Sequence, residues 1–243
     1  MVIDSLSRGP VVAIIQARMT STRLPGKVLM DIAGKPALQR MLERVLRAKE
    51  LDAICVATTV NETDNPVIAL CDELNVSSYR GDEQDVLGRF VGAAEEAGAK
   101  GVVRLTADCP MIDPMVLDEV VAAYRAGGWD YVSNTVERTY PDGLDVEVMS
   151  LAALQEANER ANHPFLREHV TPYISGKRPD LGAGNFNSYQ VVNAADFAHV
   201  RWTLDRPDDL ERIRRLVSKL PEDFHWQQAL SLATKEPELL GLS

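Results

Sequence analysis

Short apolar runs alternate along this chain with longer stretches whose apolar positions recur every three or four residues. Residues 11–16, VVAIIQ, form a β-branched run that predicts a buried strand. Residues 36–48 predict a helix, with Pro36 at its start and Leu38, Met41, Leu42, Val45 and Leu46 on one face. Further strands are predicted at 53–59, 76–79, 101–105 and 131–133, and helices at about 65–74, 85–96 and 114–124, the last capped by Asp113. Strand and helix in this alternation predict an α/β fold, a mostly parallel Rossmann-like sheet with helices on both faces. From about Tyr140 to Val192 the alternation breaks. There the pattern gives helices at 151–162 and 164–174, a glycine-bearing stretch and a strand at 188–192. A short strand at 200–203 and a helix at 207–220 follow. The expected organisation is one domain over 1–243, with about 140–192 inserted as a segment that closes over a substrate or pairs with a second subunit.

Charge sharpens this picture. Asp and Glu number 36 against 26 Lys and Arg, a net charge of −10. That balance argues against a nucleic-acid partner and against an anionic membrane surface. The three cysteines have no CxxC spacing, so no zinc site or disulfide framework is expected. No apolar run approaches membrane-spanning length, and Met1 to Arg8 lack a signal-peptide core, so the expected location is cytoplasmic.

Against that acidic background one loop stands out. Gln16-Ala17-Arg18-Met19-Thr20-Ser21-Thr22-Arg23-Leu24-Pro25-Gly26-Lys27 follows the first strand and carries three cations. Backbone amides around Thr20, Ser21 and Thr22 suit phosphate oxygens, Gly26 permits a positive φ, and Lys27 supplies a mobile charge. It is not a Walker A loop, because Val28 follows Lys27 where Ser or Thr would be needed. Ligands of open α/β sheets sit outside the carboxyl ends of the strands. The loop, Asp108 after the strand at 101–105 and Asp205 after the strand at 200–203 can therefore meet in one crevice. Pro110 would turn Asp108 into that crevice. Asp205 reads equally as a helix cap before Pro207.

The run Ala17 to Lys27 resembles the triphosphate loop of the sugar-acid cytidylyltransferases, which make CMP-activated 3-deoxy-2-keto sugar acids. Arg104-Leu105-Thr106-Ala107-Asp108-Cys109-Pro110, Tyr140 to Glu147, Arg167 to Tyr173 and Arg201 to Asp205 are similar to the branch named after spore coat polysaccharide biosynthesis. The likeness spans about residues 11–220. It implies a nucleotide-diphospho-sugar transferase (GT-A-like) sheet, a Mg²⁺-dependent nucleotidyltransferase that uses a nucleoside triphosphate, CTP above all, and a homodimer. It also implies catalytic roles for Lys27, Arg18, Asp108 and Asp205, with Asp108 and Asp205 as the Mg²⁺ ligands. Ala17, Thr20, Ser21, Arg23 and Gly26 would cradle the triphosphate.

The resemblance assigns the base to the segments holding Thr58 and Arg80. Arg80-Gly81-Asp82-Glu83-Gln84-Asp85 also reads as a polar turn with a cap. The acidic sugar would meet Asp142, Asp145, Glu147, Arg167 and His169. Asp145 and Glu147 share a face if they lie on a strand, either as a carboxylate pair at the substrate or on a solvent-facing edge. Arg167 suits a bidentate grip on a substrate carboxylate, or an intrahelical or intersubunit ion pair. A glycosyltransferase that uses a finished nucleotide sugar, and an inactive nucleotide-binding scaffold, are the alternatives. The spacing of Asp142-Gly143-Leu144-Asp145 is wrong for a D-x-D metal site.

Overall fold

The computed structural model describes residues 9–242, so Met1 to Arg8 lie outside the described residues. In chain order the elements are β1 (Val11–Gln16), β2 (Asp31–Ile32), β3 (Lys35–Pro36), α1 (Ala37–Val45), β4 (Ala53–Thr59), α2 (Asn65–Glu73), β5 (Ser77–Gly81), α3 (Val86–Glu96) and β6 (Gly101–Thr106). Then come α4 (Pro114–Ala126), β7 (Tyr131–Ser133), β8 (Glu147–Ser150), α5 (Leu151–Arg160), α6 (Pro164–His169), α7 (Pro172–Ser175), β9 (Ser188–Gln190), α8 (Pro207–Val217) and α9 (Trp226–Lys235). Seven strands form one sheet in the order β5-β4-β1-β6-β8-β7-β9. Its pairs are parallel except that β8 runs antiparallel to both β6 and β7.

Strand β1 shows why its sequence is continuously apolar. Successive side chains point to opposite faces, and both faces are covered. Ala13 and Ile15 join a cluster with Met41, Val120 and Ile213 from α1, α4 and α8. Val12 and Ile14 join a second cluster with Phe90 and Leu154 from α3 and α5. A central strand held this way fixes where its carboxyl end emerges, and the cation-bearing loop starts there.

Several expectations change. Pro36 belongs to a hairpin and α1 begins at Ala37, because Ala33 and Gly34 both take positive φ (50° and 89°) in the two-residue turn between β2 and β3. The helix expected at 164–174 breaks in two at Val170. Its φ of 68° and ψ of −62°, with the Thr171 amide donating to the His169 carbonyl at 2.8 Å, make the rare and strained form of γ-turn. Pro172 has no N–H to continue the helix through that point. Strand β8 lies between β6 and β7, so the edge-strand reading of Glu147 fails, and Asp145 falls just outside the strand. The strand expected at 200–203 is reduced to single bridges, Asp142 to Arg201 and Val200 to Leu242. Helix α9, which was not anticipated, places Trp226, Ala229 and Ala233 in the core. No helix among the described residues is long and apolar enough to cross a membrane.

The bridge at Asp142 depends on one glycine. Gly143 has a φ of 108°, and a Cβ there would lie 3.0 Å from the carbonyl carbon of fully buried Trp202. Gly143→Ala is therefore expected to cost about 1–3 kcal/mol, read as a lower urea midpoint. Unchanged stability would mean that this approach relaxes freely.

Candidate active site

The loop after β1 is fixed by contacts made elsewhere in the chain. Ala17 N donates to the Ala57 carbonyl at 3.1 Å, and Gly26 N donates to the Met19 carbonyl at 2.8 Å, closing the loop on itself. Gly26 sits at φ 72°, ψ 8°, where a Cβ is disfavoured. Met19 N donates to the fully buried Asp64 at 2.8 Å, and Asp64 also accepts from the hydroxyls of Thr58 (3.0 Å) and Thr59 (2.5 Å). The Thr20 hydroxyl donates to Glu83, which further accepts from Asn61 (2.7 Å) and Arg18 (3.3 Å). The Thr20 hydroxyl, above all, holds the Glu83 carboxyl below the usual range. Among the described residues the amides of Thr20, Ser21, Thr22 and Arg23 have no intramolecular acceptor. They are free donors beside the cleft.

Charged groups from distant segments meet at the head of this loop. Lys27 Nζ lies 3.0 Å from Asp108 Oδ2 and 2.9 Å from Asp205 Oδ1. Arg23 reaches the same Asp205 oxygen at 2.8 Å, and Arg201 reaches Oδ2 at 2.9 Å. The two aspartate loops are tied directly, because Leu204 N donates to the Asp108 carbonyl at 2.7 Å. Asp205 is not the cap of α8. Asp209 takes that role, accepting from the backbone amides of Asp205 (3.0 Å) and Arg206 (2.9 Å). Burial is the largest influence and would raise the Asp108 carboxyl, but the Lys27 charge together with hydrogen bonds from Thr106 and Lys27 holds it below the usual range.

A cleft of about 330 Å³ opens over this cluster, and its lining includes Gln16, Arg18, Lys27 and Asp108 together with Arg89, Arg104 and His169. His169 rests against the Phe165 ring, and burial lowers its pKa, which keeps the imidazole neutral near pH 7. Arg89 and Arg104 were not singled out from sequence as site residues, because an arginine inside an apolar segment resembles any stem packed along a core.

Other expected site residues lie elsewhere. Thr58 is fully buried behind the loop and serves Asp64. Arg80 donates to the carbonyls of Thr59 and Asn61 and to Asn65, holding the turn after β4. Arg167 grips Asp85 bidentately at 2.9 and 2.6 Å and also reaches Asn158 and Ala161, so it forms an ion pair, but one that joins α6 to the start of α3 and is neither intrahelical nor intersubunit. Asp145 is clasped by Arg138 at 2.5 and 2.8 Å. Burial, then Asp145, raise the pKa of Asp142. Glu147 is buried under Arg104.

A family model described as Cytidylyltransferase matches residues 12–234. This chain belongs to the cytidylyltransferase family. The cytidylyltransferase is 33% identical over 235 residues to the Spore coat polysaccharide biosynthesis protein SpsF of Bacillus subtilis, covering 94% of this chain and 95% of that protein. It is 37% identical over 238 residues to a 3-deoxy-manno-octulosonate cytidylyltransferase of Geobacter sulfurreducens, covering 96% of this chain and 86% of that one. A solved cytidylyltransferase from Leptospira borgpetersenii superposes with a TM-score of 0.88 at 31% identity, over 95% of this chain and 96% of that one. The protein is thus a nucleotidyltransferase with the Rossmann-like sheet expected from its pattern. No group of three or more His, Cys, Asp or Glu placed for a metal occurs among the described residues. Asp108 and Asp205 nevertheless bring hard oxygen donors together on one cation.

The lowered Asp108 value sets a pH dependence. Its charged form contributes stability that is complete above about pH 4, the unfolded carboxylate range, and is lost as pH falls through the folded value. Lys27→Met removes the cation and leaves burial to raise Asp108. The acid unfolding midpoint, followed by circular dichroism, is expected to move to higher pH, whereas an unmoved midpoint would free Asp108 from Lys27.

Proposed function

We propose that this cytidylyltransferase uses CTP and Mg²⁺ to activate an acidic sugar of the 3-deoxy-2-keto type, releasing pyrophosphate, for surface or spore coat polysaccharide synthesis. One observation carries the proposal: Lys27 bridges Asp108 and Asp205 at the head of a loop with free backbone amides. The named relatives, one acting on 3-deoxy-manno-octulosonate and one in spore coat polysaccharide biosynthesis, supply the substrate class.

A sugar hydroxyl attacks the α-phosphorus in line; a new O–P bond forms, the hydroxyl proton passes to solvent, the bond to the bridging oxygen breaks, and pyrophosphate leaves. Lys27 and Arg18 neutralise charge on the phosphates, Arg23 assists, and the amides from Thr20 to Arg23 hold the oxygens without reorganising. Ala17 and Gly26 let the backbone come close. Asp108 and Asp205 fit a hard divalent ion, which prefers a carboxylate or two and shares itself with phosphate. Bound there, Mg²⁺ would supply charge neutralisation at the α-phosphate. Lys27 is then free to move to the leaving phosphates. On the acceptor side we retain neutral His169 as a partner for sugar hydroxyls and place Asp142 and Asp145 at its margin. The base-reading role of Thr58 and Arg80 is given up, since both serve the scaffold of the loop.

We place residues 140–192 on the acceptor side of a homodimer. Exposed Tyr189 lies on the sheet-edge strand β9 and Val192 just beyond it. Sedimentation that gives only monomer mass at micromolar concentration would end that assignment.

Calorimetry with each nucleoside triphosphate and Mg²⁺ tests the core of the proposal, with CTP expected to bind best. Preference for a finished nucleotide sugar would move the protein to glycosyl transfer. Lys27→Ala is expected to lower kcat by about 10²–10³, or 3–4 kcal/mol of transition-state stabilisation, with the fold retained. An active Lys27→Ala enzyme would falsify the loop assignment. Asp205→Asn is expected to raise the Mg²⁺ concentration needed for half-maximal rate; an unchanged requirement would remove Asp205 from the metal.

A further inference from the structure

Two guanidinium groups reach the cleft from outside the triphosphate loop, and they keep different company. Arg89, on α3, donates through Nη1 to the Asp82 carbonyl at 2.6 Å and feels the charge of Arg18. Arg104, on β6, donates through Nη1 to Glu147 Oε2 at 2.5 Å and shares its wall of the cleft with Glu168 and His169. So Arg89 lies toward Arg18 and Arg104 toward His169.

The partner of Arg104 is itself immobile. Glu147 is buried and accepts the Tyr131 hydroxyl at 2.5 Å and the Thr135 hydroxyl at 3.5 Å. Thr171 adds a further hydrogen bond, and Thr171 is held in place by the strained turn at Val170. The guanidinium is thus pinned at one corner. Its Nε is buried without a partner, and Nη2 has none among the described residues. The unpaired edge is Nε–Nη2, two parallel N–H groups with the spacing of a carboxylate, and Arg89 likewise leaves its Nε unpaired, but close to Arg18.

We propose that Arg104 reads the carboxylate of the acceptor, a role that rests on the nucleotidyl-transfer reading above and that the sequence had offered to Arg167. Glu147 cancels the charge of Arg104, so recognition depends on the shape of the fork more than on net attraction. Glu168 on the same wall repels a dianion, which favours a singly charged carboxylate over a phosphate monoester. The substrate class is therefore a hydroxy acid that carries a single carboxylate. A neutral sugar would leave the two donors of Arg104 unpaired and be rejected.

The test uses pyruvate, the smallest 2-keto carboxylate, and pyruvamide, its neutral counterpart, observed by saturation-transfer NMR on the CTP-bound protein. CTP affinity is measured by calorimetry on the same samples. The variants are Arg104→Lys, Arg104→Met and Arg89→Met. Arg104→Met combined with Glu147→Gln is included because Arg104→Met alone strands a buried carboxylate. The expected result is a pyruvate signal with wild type, none with pyruvamide, and loss of the pyruvate signal in both Met variants at position 104. CTP affinity should stay within about twofold in those variants and fall about tenfold in Arg89→Met. With an active sugar acid, Arg104→Lys should raise the acceptor KM and leave the CTP KM unchanged. The proposal is overturned if pyruvate binds the Arg104→Met variants as it binds wild type, if pyruvamide competes equally, or if wild type gives no pyruvate signal. A tenfold loss of CTP affinity at position 104 also overturns it, by assigning Arg104 to the nucleotide. Failure of wild type to bind CTP overturns the nucleotidyl-transfer reading itself and is seen before any substitution is made.

Discussion

The ammonium of Lys27 is the hinge of this structure. It lies about equally close to Asp108 and Asp205, residues from distant parts of the chain that the fold brings together. Two carboxylates this near each other repel, and in a half-buried setting one would take up a proton. The shared cation keeps Asp108 ionised against its own burial. In the proposed reaction it would also hold the donor set ready for a divalent ion, with the amine free to shift onto phosphate.

That arrangement holds only if the aspartates arrive in register, and the fold secures this through backbone contacts. The Leu204 amide on the Asp108 carbonyl ties the two loops. Asp209 then takes the capping duty at α8, which leaves the Asp205 side chain free for the cleft. Arg201 binds Asp205 and Asp209 together and approaches Asp142 at 3.7 Å. Gly143 lets the chain before β8 pass close to Trp202, which joins the Asp142 segment to the loop that carries Asp205. Small residues and backbone donors thus set the distances, and charged side chains occupy the result.

Much of this was legible beforehand, for physical reasons. The run at β1 needs both faces covered, which already implies a sheet with helices on each side. Asp108 and the loop at Arg18 to Lys27 follow strand ends, where open sheets bind ligands. The hairpin of β2 and β3 was missed because two-residue strands have no periodicity to detect. The break at Val170 was missed because a β-branched residue at positive φ contradicts its own local preference. Asp205 looked like a cap because its sequence surroundings suit one. Only the placement of Asp209 shows that another carboxylate does that job.

The arginines mark the boundary of what sequence can say. Arg167, Arg80 and Arg104 all lie near segments that resemble substrate-binding motifs, and a charge count treats them alike. Hydrogen-bond accounting separates them. Arg167 is held by Asp85, Asn158 and Ala161, and Arg80 by two carbonyls and Asn65, so each is a strut. Arg104 keeps one edge of its fork unpaired in a cleft. A buried unpaired donor is costly, and folds seldom keep one without a partner that arrives later. An acidic protein can therefore hold many arginines and present few of them to an anion. Those few both lack hydrogen bonds and line the cleft, whereas Arg44, Arg47 and Arg212 leave a nitrogen unpaired away from it.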